Sequence, residues 1–175
     1  VFLLKDAQMV KTVVADQDAN FIIELSGLSP VNYIFSLYAK DYEGRSSRLI
    51  VFPVALQEGK TTTISNVLIP PTIAKNKKEV KQGETLDIFG QSLGNAVVAV
   101  AIKTPTGKFS VNVNSDAEGK YRYVLDTSLL ALGEYRAEAQ VSLGKVVAIS
   151  SFVTFIVGEK TILETGKPGT ARFCL

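Results

Sequence analysis

The sequence predicts an all-β protein made of two β-sandwich modules in tandem. Runs rich in Val, Ile, Tyr, Phe and Thr alternate apolar with polar residues, and turns of Gly, Asn, Asp and Pro interrupt them roughly every 8–12 residues. The segment 4–54 can also be laid over 102–157 with small shifts in the loops, which indicates an internal repeat. A chain of 175 residues has room for two such modules.

The first module is expected to span residues 1–69. The alternating pattern predicts its strands at residues 1–5, 9–15, 21–26, 33–40, 46–56 and 61–69. A tight turn at Asp6-Ala7-Gln8 separates the first two strands, and the polar residues 15–20 form the turn before the third strand.

The second module is expected to span residues 70–158. The same pattern predicts strands at residues 85–89, 96–103, 109–114, 120–125, 135–142 and 146–157. Proline cannot donate to a β-ladder and stiffens the backbone, so residues 69–72, with Pro70 and Pro71, are predicted to be a short, semi-rigid linker. Residues 159–175 are expected to be a linker or tail, with Gly166-Lys167-Pro168-Gly169 between two apolar patches.

The repeat is imperfect at its start. The second module has an opening strand over residues 84–90, and the first module is predicted to lack the equivalent strand, whose place in the sequence would lie before Val1. The sequence starts at Val1 without an initiator Met, so we also expect the chain to be a processed product or an excised part of something longer. An uncovered sandwich edge exposes unpaired backbone groups, so we expect the upstream chain or a neighbouring subunit to cover it.

Composition argues against several classes of function. The formal net charge is +2 without a basic stripe, which argues against nucleic acid as a partner. The chain has no His, the commonest general base and zinc ligand, and no Trp, so we expect neither an enzyme nor a metal or organic cofactor. No run approaches the roughly 18 apolar residues of a membrane span. The one cysteine, Cys174, excludes an internal disulfide.

A turn motif and a corner motif lie within residues 10–38. The residues concerned are Thr12, Asp16, Ala19, Phe21, Leu28, Pro30, Val31 and Tyr33. They resemble the T-x-x-D-x-x-G-x-F and L-x-P-G-x-Y motifs of carboxypeptidase-regulatory-like and related prealbumin-like modules of bacterial surface proteins. Ala19 and Val31 stand where that family has glycine, so both turns are expected to avoid the left-handed conformation.

Residues 80–157 carry a second set of motifs. Gly83, Gly90-Gln91-Ser92 and Thr104-Pro105-Thr106-Gly107-Lys108 are followed by Asp116 to Tyr121, Asp126-Thr127-Ser128 and Gly133-Glu134-Tyr135. This segment resembles bacterial immunoglobulin-like repeats. The two resemblances together imply two tandem immunoglobulin-like (Greek-key) β-sandwiches, of the kind that act as stalks, spacers or adhesive arms of exported proteins. Fold alone does not fix function, so this implication is an analogy.

We weighed two sites of covalent or metal chemistry. Lys5 and Asn66 resemble the isopeptide pair of collagen-adhesin B-type repeats, but the buried acid that this reaction needs is absent from the expected strand, where Tyr38 stands and Asp41 is the nearest acid. The Asp16 to Asn20 run offers oxygen ligands at alternate positions. It lacks the glycine and distal glutamate of an EF-hand, so an ordinary turn is the preferred interpretation.

Aromatic and hydroxyl side chains gave two further candidates. The six tyrosines, Tyr33, Tyr38, Tyr42, Tyr121, Tyr123 and Tyr135, could form a platform for a glycan. Tyr33 and Tyr135 are better interpreted as corner residues, whose rings are buried and whose hydroxyls bond to nearby backbone. Ser46-Ser47 and Ser150-Ser151 have no base to activate them and are predicted to be strand residues.

The expected function is a non-catalytic, extracellular structural or spacer module pair of a secreted or cell-surface bacterial protein. Its partners are expected to be flanking domains of the same protein or copies of itself. One alternative is a subunit of a surface fibre or pilus assembled by strand donation. A further alternative is a carbohydrate-binding adhesin module that uses Tyr38 and Tyr42.

Overall fold

The protein is all-β in the part of the chain that the structure, a computed structural model, describes: residues 1–16 and 19–165. Thirteen strands form three sheets over these residues, and no helix occurs among them. The predicted all-β class is therefore confirmed.

The N-terminal sheet contains four antiparallel strands, β1 (Phe2–Lys5), β2 (Gln8–Thr12), β3 (Asn32–Tyr38) and β4 (Ile50–Ala55), in the order β2-β1-β3-β4. The β1–β2 turn places Asp6 and Ala7 at φ values of 49° and 66°. Two successive positive φ values give the type of tight turn whose twist suits a hairpin. The Asp6 carboxylate also accepts a hydrogen bond from the backbone N–H of Ile34, which ties this turn to β3.

The C-terminal part contains nine strands in two sheets. These strands are β5 (Ala74–Lys75), β6 (Lys77–Lys81), β7 (Thr85–Gln91), β8 (Val97–Lys103), β9 (Lys108–Asn114), β10 (Lys120–Asp126), β11 (Gly133–Leu143), β12 (Val146–Gly158) and β13 (Ile162–Leu163). One sheet has the order β10-β7-β5, and the other has the order β13-β6-β12-β11-β8-β9.

Side chains from both C-terminal sheets meet in one core. Leu86, Ile88 and Leu125 from the smaller sheet pack in the same buried cluster as Ile102 and Phe155 from the larger sheet. This two-layer arrangement is consistent with a β-sandwich.

The N-terminal sheet has its own, less completely buried core. Leu3, Phe35, Leu37 and Val54 are buried on one face of the sheet, where half-buried residues of segments 21–28 and 56–67 cover them. A small third cluster, of Leu68, Val141 and Ala148, lies where residues 67–69 meet the C-terminal strands.

Two predicted strands of the N-terminal part are not strands. Residues 21–26 and 61–69 enter no β-ladder, although the first of them alternates half-buried and exposed residues as a strand would. An alternating pattern indicates only which side chains face the core. A β-ladder also requires hydrogen bonds to a neighbouring strand. The four strands that do form are all shorter than predicted, and two differ most: β2 ends at Thr12, and the strand predicted from residue 46 begins at Ile50.

Three short C-terminal strands were missed. β6 reads Lys-Lys-Glu-Val-Lys and buries only Val80 completely, so it lacks the apolar alternation of a predicted strand. β5 and β13 contain two residues each, too few to show a period. Because β13 pairs with β6, residues 162–163 of the predicted linker or tail join the larger C-terminal sheet. Residues 166–175, with Cys174, lie outside the described residues.

Candidate functional site

The internal repeat is visible in hydrogen bonds at equivalent positions. The N–H of Asp16 donates to the carbonyl of Asn20 (2.9 Å), and the N–H of Asp116 donates to the carbonyl of Lys120 at the same distance. In each turn the Asp carboxylate also accepts from the backbone N–H four residues later. Because the two turns share these bonds, residues 21–26 follow the first turn in the same alignment as β10 follows the second.

A pair of serines repeats in the same way. Ser47 Oγ accepts from the N–H of Ala39 at 2.9 Å, and Ser150 Oγ accepts from the N–H of Ala139 at 2.8 Å. Ser150 lies in β12, as predicted, whereas Ser47 precedes β4, so the prediction that it is a strand residue is wrong.

The turn before residue 21 corrects one prediction. Ala19 has φ 63°, and its counterpart Gly119 has φ 80°, so the turn keeps the left-handed conformation despite the loss of glycine. A positive φ costs a non-glycine residue some strain, which the hydrogen bonds to Asp16 help to offset. Val31 is not among the residues with positive φ, as expected.

Residues 21–26 form the unpaired counterpart of strand β10. Phe21, Ile23 and Leu25 point inward and are half-buried; the residues 100 positions later, Tyr121, Tyr123 and Leu125, also point inward. Tyr121 and Leu125 are only 3% and 2% exposed. They are more deeply buried than Phe21 and Leu25 because β7 lies beside β10.

The ladder between β10 and β7 has no equivalent in the N-terminal part. Tyr121, Tyr123 and Leu125 lie opposite Gly90, Ile88 and Leu86 of β7. Within the described residues, no backbone N–H of segment 21–26 donates to a backbone carbonyl, and its one carbonyl contact is with the Lys11 amine at Glu24 (2.8 Å).

An open groove lies on this side of the N-terminal sheet. Its volume is about 2420 Å³, and its lining includes Leu3, Phe35 and Leu37 from the sheet and Phe21 and Leu25 from the covering segment. Apolar walls beside unpaired backbone groups can accept an extended peptide, through side-chain burial on one side and backbone hydrogen bonds along the other.

A polar network joins the loop after β3 to the segment before β5. The Asp41 side chain is 2% exposed, and its carboxylate accepts hydrogen bonds from Arg45 Nε (2.6 Å) and Thr72 Oγ1 (2.8 Å). Burial alone would raise the pKa of the Asp41 carboxyl, but these hydrogen bonds outweigh it and hold that pKa below its usual value of 3.8.

Thr72 extends this network to the C-terminal sheets. Its Oγ1 accepts from the N–H of Gln91 (2.9 Å), its N–H donates to the Gln91 carbonyl (2.9 Å), and its carbonyl accepts from the Tyr121 hydroxyl (2.6 Å). Burial raises the pKa of the Tyr121 hydroxyl, so it stays a donor. The Arg45 guanidinium lies 5.2 Å from the centre of the Phe89 ring. We call residues Asp41, Arg45, Thr72, Gln91 and Tyr121 the junction.

The prediction of a linker at residues 69–72 did not include its burial. Pro70, Pro71 and Thr72 are all buried. Gly90 permits this close approach, because a Cβ at this position would lie 2.0 Å from the Thr72 carbonyl oxygen. Sequence reasoning did not single out Asp41, Thr72 or Gly90 for this role, since each is a common residue in a loop or strand and their contacts join distant parts of the chain.

The other predicted site residues are not brought together. Lys5 Nζ lies 4.9 Å from the centre of the Tyr33 ring, Asn66 is on an exposed segment, and Asp41 belongs to the junction. The Asp16 carboxylate binds the Asn20 backbone, as in an ordinary turn. Gln17 and Asp18 of that run lie outside the described residues, among which no group of three or more potential metal ligands occurs.

The six tyrosines do not share a surface. Tyr121 and Tyr135 are buried in the C-terminal core, and the Tyr135 hydroxyl donates to the Ala131 carbonyl (2.8 Å), so its predicted corner role is confirmed. Tyr33 and Tyr38 lie on opposite faces of the N-terminal sheet, with Tyr38 stacked on Phe2 at 4.8 Å between ring centres. Tyr33 is only half-buried, and among the described residues its hydroxyl has no hydrogen-bond partner, so its predicted corner role is wrong.

The strand pairing explains the difference between Tyr33 and Tyr135. Tyr135 lies opposite Phe155, and the two rings stack. In the N-terminal sheet the equivalent stacked pair is Phe35 and Phe52, which also lie opposite each other. The counterpart of Tyr135 is therefore Phe35, which has no hydroxyl, and Tyr33 lies two residues before that position.

No protein-family model matches this chain, and no curated protein matches its sequence. In the part of the chain that the structure describes, no helix is long and apolar enough to cross a lipid bilayer.

Proposed function

We propose that this chain is a non-catalytic structural module pair, with immunoglobulin-like modules at residues 1–69 and 70–158, that holds other parts of an exported or cell-surface bacterial protein in a fixed relation. The junction carries this proposal. A flexible tether between two modules would not need a buried carboxylate with four hydrogen bonds, whereas a rigid spacer would.

The separate hydrophobic clusters support two modules. One cluster belongs to the N-terminal sheet and another to the two C-terminal sheets, while the small cluster around Leu68 lies between them. Domains commonly have their own cores and meet through smaller, more polar interfaces, so separate clusters with a polar network between them support the proposal. The bacterial and exported setting rests on the sequence resemblance alone.

The experiment is a distance measurement between the two proposed modules. Spin labels at A55C on β4 and S110C on β9, two exposed positions, would be introduced in a C174S background. We expect a single narrow distance distribution for the parent. T72V should broaden it, because valine neither donates to Asp41 nor accepts from Gln91, while T62V at an exposed position should not. A broad distribution in the parent would contradict the spacer proposal.

A second candidate function is a fibre subunit assembled by strand donation. The groove with its unpaired segment 21–26 favours it, because a strand from another copy could pair there. Electron microscopy and light scattering over a range of concentrations would test it. Growth of filaments is the expected result for a fibre subunit, and a concentration-independent monomer would contradict this role.

A further inference from the structure

In the C-terminal part, a strand occupies the position that corresponds to the groove. Strand β7 lies beside β10 and buries Leu86 and Ile88 completely, and Gly90 lies opposite Tyr121 in the ladder. Segment 21–26 leaves its turn in the register of β10 and presents Phe21, Ile23 and Leu25 inward at the equivalent positions. The groove beside it therefore corresponds to the position that β7 fills in the other half of the same chain.

The exposure of Ile22 is consistent with a position for one more strand beside segment 21–26. Ile22 is 81% exposed on segment 21–26, whereas its counterpart Arg122 on β10 forms an ion pair with Asp87 of β7 (2.8 Å). An occupant of the groove would cover the backbone edge beside Ile22 and complete the burial of Phe21 and Leu25.

The pairing of β1 also fixes how such a strand would be connected. In the C-terminal part, Val100 lies opposite Ala139. Ala39 is the counterpart of Ala139, because each donates its N–H to the equivalent serine. Since Phe2 pairs with Tyr38, Val1 lies beside Ala39. Val1 thus corresponds to Val100, and it lines the groove. In the C-terminal part, residues 92–99 connect β7 to the position of Val100, so a short connection to Val1 reaches the equivalent place.

We propose that the groove binds one more β-strand, with apolar side chains at alternating positions and a small residue at the place of Gly90, joined to Val1 by a short connection. The strand pairs with residues 21–26 as β7 pairs with β10. A strand joined to Val1 through a connection as short as residues 92–99 has a high local concentration at the groove. It would therefore occupy the groove in preference to a strand from a second copy. The proposal depends on the groove and not on the rigid junction, so either can fail without the other.

The test copies the chain's own strand. Residues 85–99 would be duplicated directly ahead of Val1, which places the copied β7 and its natural connection in the equivalent position. The matched control carries L86D and I88D in the copied segment only. Backbone amide hydrogen exchange of residues 21–26 is the readout, with β10 in the same molecule as the internal reference.

In the duplicated protein we expect amide exchange of residues 21–26 to slow at least about tenfold, and in the control we expect it to stay fast. The duplicated protein should also remain a monomer by size. Unchanged exchange at residues 21–26 would overturn the proposal, as would equal protection in the control. Protection that comes with dimers or longer assemblies would show that a second copy supplies the strand, and would also overturn it.

A free peptide with the sequence of residues 85–91, added to the parent protein, gives an independent measurement if the duplicated protein folds poorly. Chemical-shift changes confined to residues 21–26 and the groove lining would support the proposal. Changes elsewhere, or none at millimolar peptide, would overturn it.

Discussion

Two tyrosines of similar sequence context differ in what their hydroxyls do. The Tyr135 ring is 2% exposed and its hydroxyl donates to the Ala131 carbonyl, whereas the Tyr33 hydroxyl makes no such bond among the described residues. We expect Y135F to lower the free energy of unfolding by about 1 kcal/mol, because a buried acceptor loses its donor. Y33F is the matched control and should change it little.

Denaturant unfolding followed by tyrosine fluorescence would measure both variants, since the chain has no tryptophan. Equal losses for Y135F and Y33F would mean that the hydroxyl bond of Tyr135 does not stabilise the corner. The comparison is informative because each substitution removes the same single atom from the same residue type.

At the scale of elements, strand β7 approaches the junction closely at Gly90. An added Cβ there would lie 2.0 Å from the Thr72 carbonyl oxygen and 2.8 Å from the Tyr121 hydroxyl. We expect G90A to destabilise the protein by roughly 2–3 kcal/mol, because backbone must move to relieve the overlap. G107A is the control, since its Cβ would approach no atom closer than the Thr104 hydroxyl at 4.0 Å. Thermal unfolding measures both variants, and a neutral G90A would contradict the proposed close approach.

The strands that the sequence predicted well are those with apolar alternation and a partner on at least one side. All six predicted strands of the C-terminal part occur, with bounds that differ by at most two residues at either end. Segment 21–26 has the same alternation but no ladder, because its partner position is a groove. Strand β6 shows the reverse case, since neighbouring β12 supplies a parallel partner to a charged segment with little apolar pattern.

At the scale of the whole molecule, the Asp41 carboxylate joins the loop after β3 to Thr72, and we expect this connection to weaken at low pH. Its pKa is held below 3.8 in the folded protein, so its ionised form contributes stability that is complete above the unfolded pKa. As pH falls below about 4 and through the folded pKa, this contribution is lost. We expect the wild-type protein to lose stability over this range more steeply than D41N.

The measurement is the free energy of unfolding of both proteins between pH 2 and pH 7, with E58Q as a control that removes an exposed carboxylate. Parallel pH curves for the wild-type protein and D41N would mean that the Asp41 network does not contribute in this way. At neutral pH, D41N should also be less stable, because an amide cannot accept all the hydrogen bonds that the carboxylate accepts.

The sequence by itself determined the all-β class, the internal repeat and most strand positions, because these depend on local alternation and on turn residues such as Asp16 and Asp116. Only the tertiary structure decided that residues 21–26 border a groove, that Phe35 rather than Tyr33 corresponds to Tyr135, and that Asp41, Thr72 and Tyr121 meet at a junction. The physical reason is sequence separation. Periodicity records how each residue faces its own core, whereas ladders, buried carboxylates and close backbone approaches depend on partners distant in the chain.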